Sequence, residues 1–307
     1  MGVPPVAALV AALVLRATAV GADTILEPVS FPGPEAKAPL AALLSRPDGP
    51  GPFPALIFLH GCAGMYGKSG RLSARQIQWD GTMRAAGFVT LHVDSFTPRG
   101  IREVCTVKNR SITVWRDRRA DAYAALSWLR SLPFVRPDAV AAMGWSQGGL
   151  TVLAAMERDG TTPGAGFFAG VALYPACRLS GRETLDPSGP LLLLFGGADD
   201  WTPPETCSDA VTNARMRGEA VEVKSYPGAH HGFDSPGSKV RLREGLALAP
   251  GGSAHVGENP AARLDALERV PEFLERHLPP PARRSTASDR IPESPPVVRP
   301  SQAVEAR

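Results

Sequence analysis

The residues best able to do chemistry fall in three places along the chain. The first is Gly144-Trp145-Ser146-Gln147-Gly148-Gly149, a Gly-x-Ser-x-Gly pattern with Ser146 at its centre. The second is the pair Asp199-Asp200, and the third is the pair His230-His231. A serine hydroxyl is a poor nucleophile at neutral pH. It becomes a good one when an imidazole takes its proton and a carboxylate holds that imidazole in the required tautomer. The chain thus offers a nucleophile, two acids and two bases for attack on an acyl carbon.

The elements that must position these groups are legible as alternating apolar runs and amphipathic segments. Ala139 to Met143 is a short apolar run that reads as a buried strand. Leu150, Val152, Leu153 and Met156 then recur at helical spacing. Ser146 sits on the sharp turn between the two, where the flanking glycines are needed because a Cβ would collide with a neighbouring element. Further strands are expected over Thr24–Phe31, Ala38–Leu44, Phe53–Leu59, Phe88–Val93, Phe167–Leu173 and Leu191–Phe195, with Ala220–Tyr226 as an edge strand. Helices are expected over Gln76–Ala86, Arg118–Leu132, Pro204–Arg217 and Ala261–Leu278. This alternation implies an α/β fold with a mostly parallel, doubly wound sheet in a single domain. In such sheets ligands bind outside the carboxyl ends of the strands. Asp199 and Asp200 follow one strand, and His230 and His231 follow the next. Gly61-Cys62-Ala63-Gly64 follows Phe53–Leu59, where a glycine-rich stretch lets backbone N–H groups point into a cleft.

Composition narrows the function further. The apolar share is 44% and the formal charge +3, without a basic stripe interleaved with aromatics, so nucleic acid is not an expected partner. Residues 1–22 read as a signal peptide: Val6–Leu15 is apolar but too short to span a bilayer, and Val20-Gly21-Ala22 offers small residues for cleavage. A periplasmic or secreted protein without a stable membrane span is therefore expected. Residues 23–278 form the domain, and residues 279–307 read as a disordered, proline-rich tail. Cys62, Cys105, Cys177 and Cys207 permit two disulfides in an oxidising compartment, with three connectivities. Each cysteine follows a strand. Topology favours Cys177 with Cys207 and Cys62 with Cys105. No Cys/His cluster has metal-ligand spacing, so no metal or cofactor is expected.

The ordered pieces Gly144–Gly149, Gly196-Gly197-Ala198-Asp199 and His231-Gly232-Phe233 resemble the dienelactone hydrolase family of α/β-hydrolases. Leu59–Gly64, Asp94–Gly100 and Asp199–Pro203 are similar to an exported branch of it, over about residues 24–278. The resemblance implies an α/β-hydrolase fold, with Ser146 as nucleophile, His231 as base and Asp199 as orienting acid. The backbone N–H groups of Cys62 and Gln147 would form the oxyanion hole. It also implies a small ester or lactone as substrate, and a possible carboxylate-binding role for Arg99, with salt-bridging as the alternative for that residue. Trp145, Trp201 and Phe233 are candidate pocket walls. Asp200 is expected to cap the following helix, and His60 to support the oxyanion loop. The chain departs from the best-known members in having serine where they have cysteine. Two other readings remain: a prolyl-oligopeptidase-type peptidase, for whose propeller the chain has no room, and an exported binding protein on a hydrolase fold.

Overall fold

A computed structural model of the chain describes residues 26–34, 39–67, 69–158, 166–177 and 185–280. The expected signal segment, and the expected tail apart from Pro279 and Pro280, lie outside these residues. One eight-stranded sheet forms the centre. Its strands are β1 (Glu27–Phe31), β2 (Leu40–Ser45), β3 (Phe53–Leu59), β4 (Val89–Asp94), β5 (Val135–Trp145), β6 (Gly170–Leu173), β7 (Leu191–Gly196) and β8 (Val221–Tyr226). Their order is β1-β2-β4-β3-β5-β6-β7-β8. From β4 to β8 every neighbour is parallel, whereas β1 and β2 pair antiparallel at one edge. β8 closes the other edge, as its alternating pattern implies.

The apolar runs are buried because helices cover both faces of the sheet. On one face lie α2 (Arg119–Arg130), α3 (Gln147–Met156) and α4 (Ser208–Met216). They pack Leu126, Leu129, Val152, Met156 and Ala214 against strand residues such as Ile57 and Leu193. On the other face α1 (Ala74–Ala85) and α5 (Pro260–His277) bring Trp79, Met83, Val270 and Phe273 against Phe58, Met143 and Leu192. Caps fix where two helices start. Ser73 and Gln76 form a capping box on α1, and the Asn259 side chain accepts the Ala262 N–H at the start of α5.

Several boundaries differ from those read in the sequence. The helix expected from Arg118 is preceded by one π-helical turn, Val114–Arg118. The helix expected from Pro204 begins as a 3-10 turn, Pro204–Cys207, before α4. A two-stranded hairpin of β9 (Arg241–Glu244) and β10 (Ser253–Val256) stands apart from the main sheet. Its strands are short and mostly polar, so they carry no apolar run to announce them. Its Val256 bridges His231.

Candidate active site

The parallel strands point their carboxyl ends the same way, so the loops after β3, β5, β7 and β8 meet there. Ser146 follows β5 and forms the N-cap of α3 at φ 55°, ψ −116°, one of two described non-glycine residues with positive φ. A β-carbon at Gly144 would run into the Gly148 carbonyl, and one at Gly148 into the Leu59 carbonyl. Only glycine fits at either position, and the strained serine is held between them.

Asp199 and His231 come together as a buried pair. His231 Nδ1 lies 2.8 Å from Asp199 Oδ2, and the residues are 5% and 4% exposed. Asp199 Oδ1 accepts the backbone N–H groups of Trp201 and Thr202, each at 2.9 Å. The Thr202 hydroxyl donates to Asp199 Oδ2 at 2.9 Å. These bonds fix the carboxylate as a hydrogen-bond acceptor, so His231 carries its proton on Nδ1 and leaves Nε2 free. The imidazole is clamped between the rings of Trp201 and Tyr174, at centroid distances of 4.5 and 4.6 Å. It lines the same cleft as Ser146.

The loop after β3 rests on a second buried group, Arg118. Its Nη2 donates to the His60 carbonyl at 2.7 Å and its Nη1 to Gln147 Oε1 at 3.2 Å. Burial pushes its pKa down to about 10, with Asp121 drawing it back up, and it stays charged at neutral pH. His60 donates from Nδ1 to the Gly61 carbonyl at 2.8 Å, and its Nε2 accepts the Ser95 N–H at 3.3 Å. Burial, then the charge of Arg118, holds its pKa well below the ordinary value. His60 is thus a neutral prop under the loop, the supporting part expected of it. Cys62 lines the cleft, and Gln147 is the first residue of α3, where an N–H has no intrahelical partner.

The model of the dienelactone hydrolase family matches residues 40–278. The chain is a member of that family. Solved structures share the fold at low identity. A protein of Klebsiella pneumoniae subsp. pneumoniae MGH 78578 described as a dienelactone hydrolase has 17% identity and a TM-score of 0.60, covering 83% of this chain and 100% of its own. A propionate-bound thermophilic esterase of Thermogutta terrifontis has 20% identity and a TM-score of 0.57, covering 84% and 97%. Porphyromonas gingivalis dipeptidyl peptidase 4 has 18% identity and a TM-score of 0.59 over 83% of this chain but 36% of its own.

The walls of this family member's cleft correct three expectations. Trp145 and Trp201 do line it, but Phe233 is core, packed between Tyr174 and Tyr226. Arg99 is not among the lining residues. Its guanidinium grips the fully buried Asp121 through both nitrogens, at 2.9 and 2.7 Å, and donates to the Ser95 carbonyl, so its charge is already spent within the fold. Asp200 caps no helix; both its oxygens bind His255. Three other arginines face the cleft: Arg75 from α1, and Arg241 and Arg243 from β9. Sequence reasoning missed them because they lie on elements other than the strand ends. It also missed Asp234, buried between Trp79 Nε1 at 2.9 Å, Trp145 Nε1 at 2.8 Å and the Tyr174 hydroxyl at 2.7 Å. Asp234 thereby ties the elbow, α1 and the loop after β6 to one carboxylate.

Cys62 is bonded to Cys105 and Cys177 to Cys207, with Cα separations of 4.9 and 5.1 Å. Two disulfides fit an oxidising compartment outside the cytosol. No helix among the described residues is long and apolar enough to cross a membrane.

Proposed function

We propose that the protein is a serine hydrolase of small carboxylic esters or lactones, working through an acyl-enzyme. The observation that carries this reading is the buried His231–Asp199 pair at 2.8 Å, set on the same cleft as the strained Ser146. In the proposed reaction Ser146 Oγ attacks the ester carbonyl carbon while His231 Nε2 takes its proton. The backbone N–H groups of Cys62 and Gln147 receive the developing oxyanion. Collapse breaks the acyl–oxygen bond, and His231 returns the proton to the departing alkoxide. Water, deprotonated by His231, then attacks the acyl-enzyme and releases the acid with Ser146 restored. With a lactone the alcohol stays attached, and the product is a single hydroxy acid. Arg241 and Arg243 favour substrates bearing a further carboxylate, the part the sequence suggested for Arg99, whereas Arg75 is held by the Tyr174 hydroxyl at 2.8 Å and by Asp234. Export to the periplasm or beyond, through a leader in residues 1–22, belongs to the same reading.

The test is a panel of p-nitrophenyl esters, small lactones and peptide anilides. Wild type should turn over the first two classes. Ser146→Ala, His231→Ala and Asp199→Asn should each lower kcat by about 10³-fold or more, without adding, because the three act as a unit. His230→Ala should stay active. Full activity in Ser146→Ala, or turnover of anilides alone, refutes the proposal.

A further inference from the structure

Outside the cleft, a second polar cluster uses the chain neighbours of the proposed triad. Asp200 follows Asp199, His230 precedes His231, and His255 lies on β10 next to Val256, which bridges His231. Each of Asp200, His230 and His255 offers one metal-ligating atom, and these atoms lie within 4.8 Å of one another. No spacing in the sequence announces the cluster, because the three are far apart in the chain and meet only through the hairpin.

The imidazoles are already oriented. His230 Nδ1 lies 2.8 Å from the Ala198 carbonyl. A carbonyl only accepts, so Nδ1 holds the proton and Nε2 keeps its lone pair. Asp200 grips His255 twice: Oδ1 takes its backbone N–H at 2.8 Å, and Oδ2 lies 2.7 Å from its Nδ1. The two rings face each other at a centroid distance of 5.3 Å. The pleat keeps the nearby guanidinium groups away. Arg243 and Arg241 pair with Ala254 and Val256 and line the cleft, whereas His255 pairs with Leu242 on the opposite face.

We propose that Asp200, His230 and His255 form a binding site for a divalent transition-metal ion of the zinc type. Two imidazole nitrogens and one carboxylate oxygen suit such ions, whereas calcium and magnesium prefer oxygen ligands alone. Ligands about 2.0–2.1 Å from a tetrahedral ion stand about 3.3 Å from one another. Asp200 and His255 are slightly closer than that, so the ion takes the place of the proton they share, and that proton passes through solvent to His255 Nε2, leaving the imidazole neutral. His230 closes in from the side, and water completes the tetrahedron. The adjustment is small, because the side chains of Asp200 and His255 are 44% and 47% exposed and can move without disturbing the core. The bound ion fastens the β9–β10 hairpin, a wall of the cleft, to the loops after β7 and β8. The site stands whether or not the cleft hydrolyses esters.

The test uses the full chain without an affinity tag, stripped with chelator and titrated with zinc and cobalt(II). The expected result is one ion per chain with micromolar affinity, visible cobalt bands of tetrahedral type, and a rise of several degrees in Tm with zinc. His255→Ala and His230→Gln should each weaken binding at least tenfold and abolish the Tm rise. Should His230→Gln fail to fold, His255→Ala on the exposed strand decides, provided its metal-free Tm equals that of wild type. No binding up to about 1 mM zinc, undiminished binding in His255→Ala, or an equal Tm rise with calcium overturns the proposal.

Discussion

Replacing Arg118 by methionine tests how the proposed oxyanion hole is held. The guanidinium is fully buried, and it joins the His60 carbonyl at 2.7 Å to the Gln147 side chain at 3.2 Å. One group therefore braces both loops whose N–H groups would receive the oxyanion. Methionine keeps much of the apolar stem but supplies no donor. Each hydrogen bond from a charged donor contributes about 1.5–3 kcal/mol, and both acceptors would stay buried and unpaired. Buried Asp121 would also lose a neighbouring opposite charge. Arg118→Met should then cost about 3–5 kcal/mol, which for a domain of this size lowers Tm by roughly 6–20 °C. Deleting an oxyanion donor costs about 10²–10³ in kcat, and here the donors are displaced rather than deleted. A fall of about 10–100-fold in kcat with little change in KM is expected. Arg118→Lys keeps the charge but lacks the fork that reaches both acceptors, and should fall between. Ester hydrolysis measured well below each variant's Tm, beside thermal unfolding, gives both numbers. Wild-type kcat in a destabilised Arg118→Met would refute the bracing argument, and an unchanged Tm would refute the hydrogen bonds behind it.

Three further outcomes follow from the same geometry. Arg241→Ala should raise KM for esters carrying a second carboxylate and spare neutral ones, whereas Arg99→Ala should lower Tm through loss of its pair with Asp121; the reverse pattern would restore Arg99 to the substrate. The folded-state pKa of His60 is depressed, by burial and then by Arg118, so the unfolded chain takes up that proton first as pH falls. Its contribution to stability is complete above about pH 6.5 and erodes below it, so urea midpoints of wild type should drop more steeply between pH 7 and 5 than those of His60→Asn. The disulfides span sequence separations of 43 and 30 residues, and chain entropy assigns each roughly 4 kcal/mol. Cys62→Ala/Cys105→Ala and Cys177→Ala/Cys207→Ala should thus cost similar stability, but the first pair should lose more kcat because Cys62 carries a proposed oxyanion donor; equal kcat losses would count against that role.

What the sequence disclosed and what it hid divide along one physical line. In a parallel sheet, period and apolarity identify the strands, and topology alone sends every loop after a strand to the same end. Ser146, Asp199 and His231 were legible because each follows a strand, and the glycines of the elbow were legible because backbone approach there excludes a β-carbon. The same logic paired the cysteines. It has no purchase on groups that reach the cleft from elsewhere. Arg118 stands at a π-helical turn inside a run of arginines, where nothing local separates the one that is fully buried from its neighbours Arg116 and Arg119. Arg75 arrives from a helix, and Arg241, Arg243 and His255 from a polar hairpin with no apolar run. Asp234 looks like one more loop acid until two tryptophans and a tyrosine converge on it. Arg99 misled for the complementary reason: it follows a strand at the right end of the sheet, yet Asp121 on α2 claims it first. Position along a strand places a residue at the cleft's rim, and only the partners already around it decide whether its charge remains for a substrate. The proposed reacting groups are therefore written in sequence order, while the groups proposed to select the substrate are written in tertiary contacts.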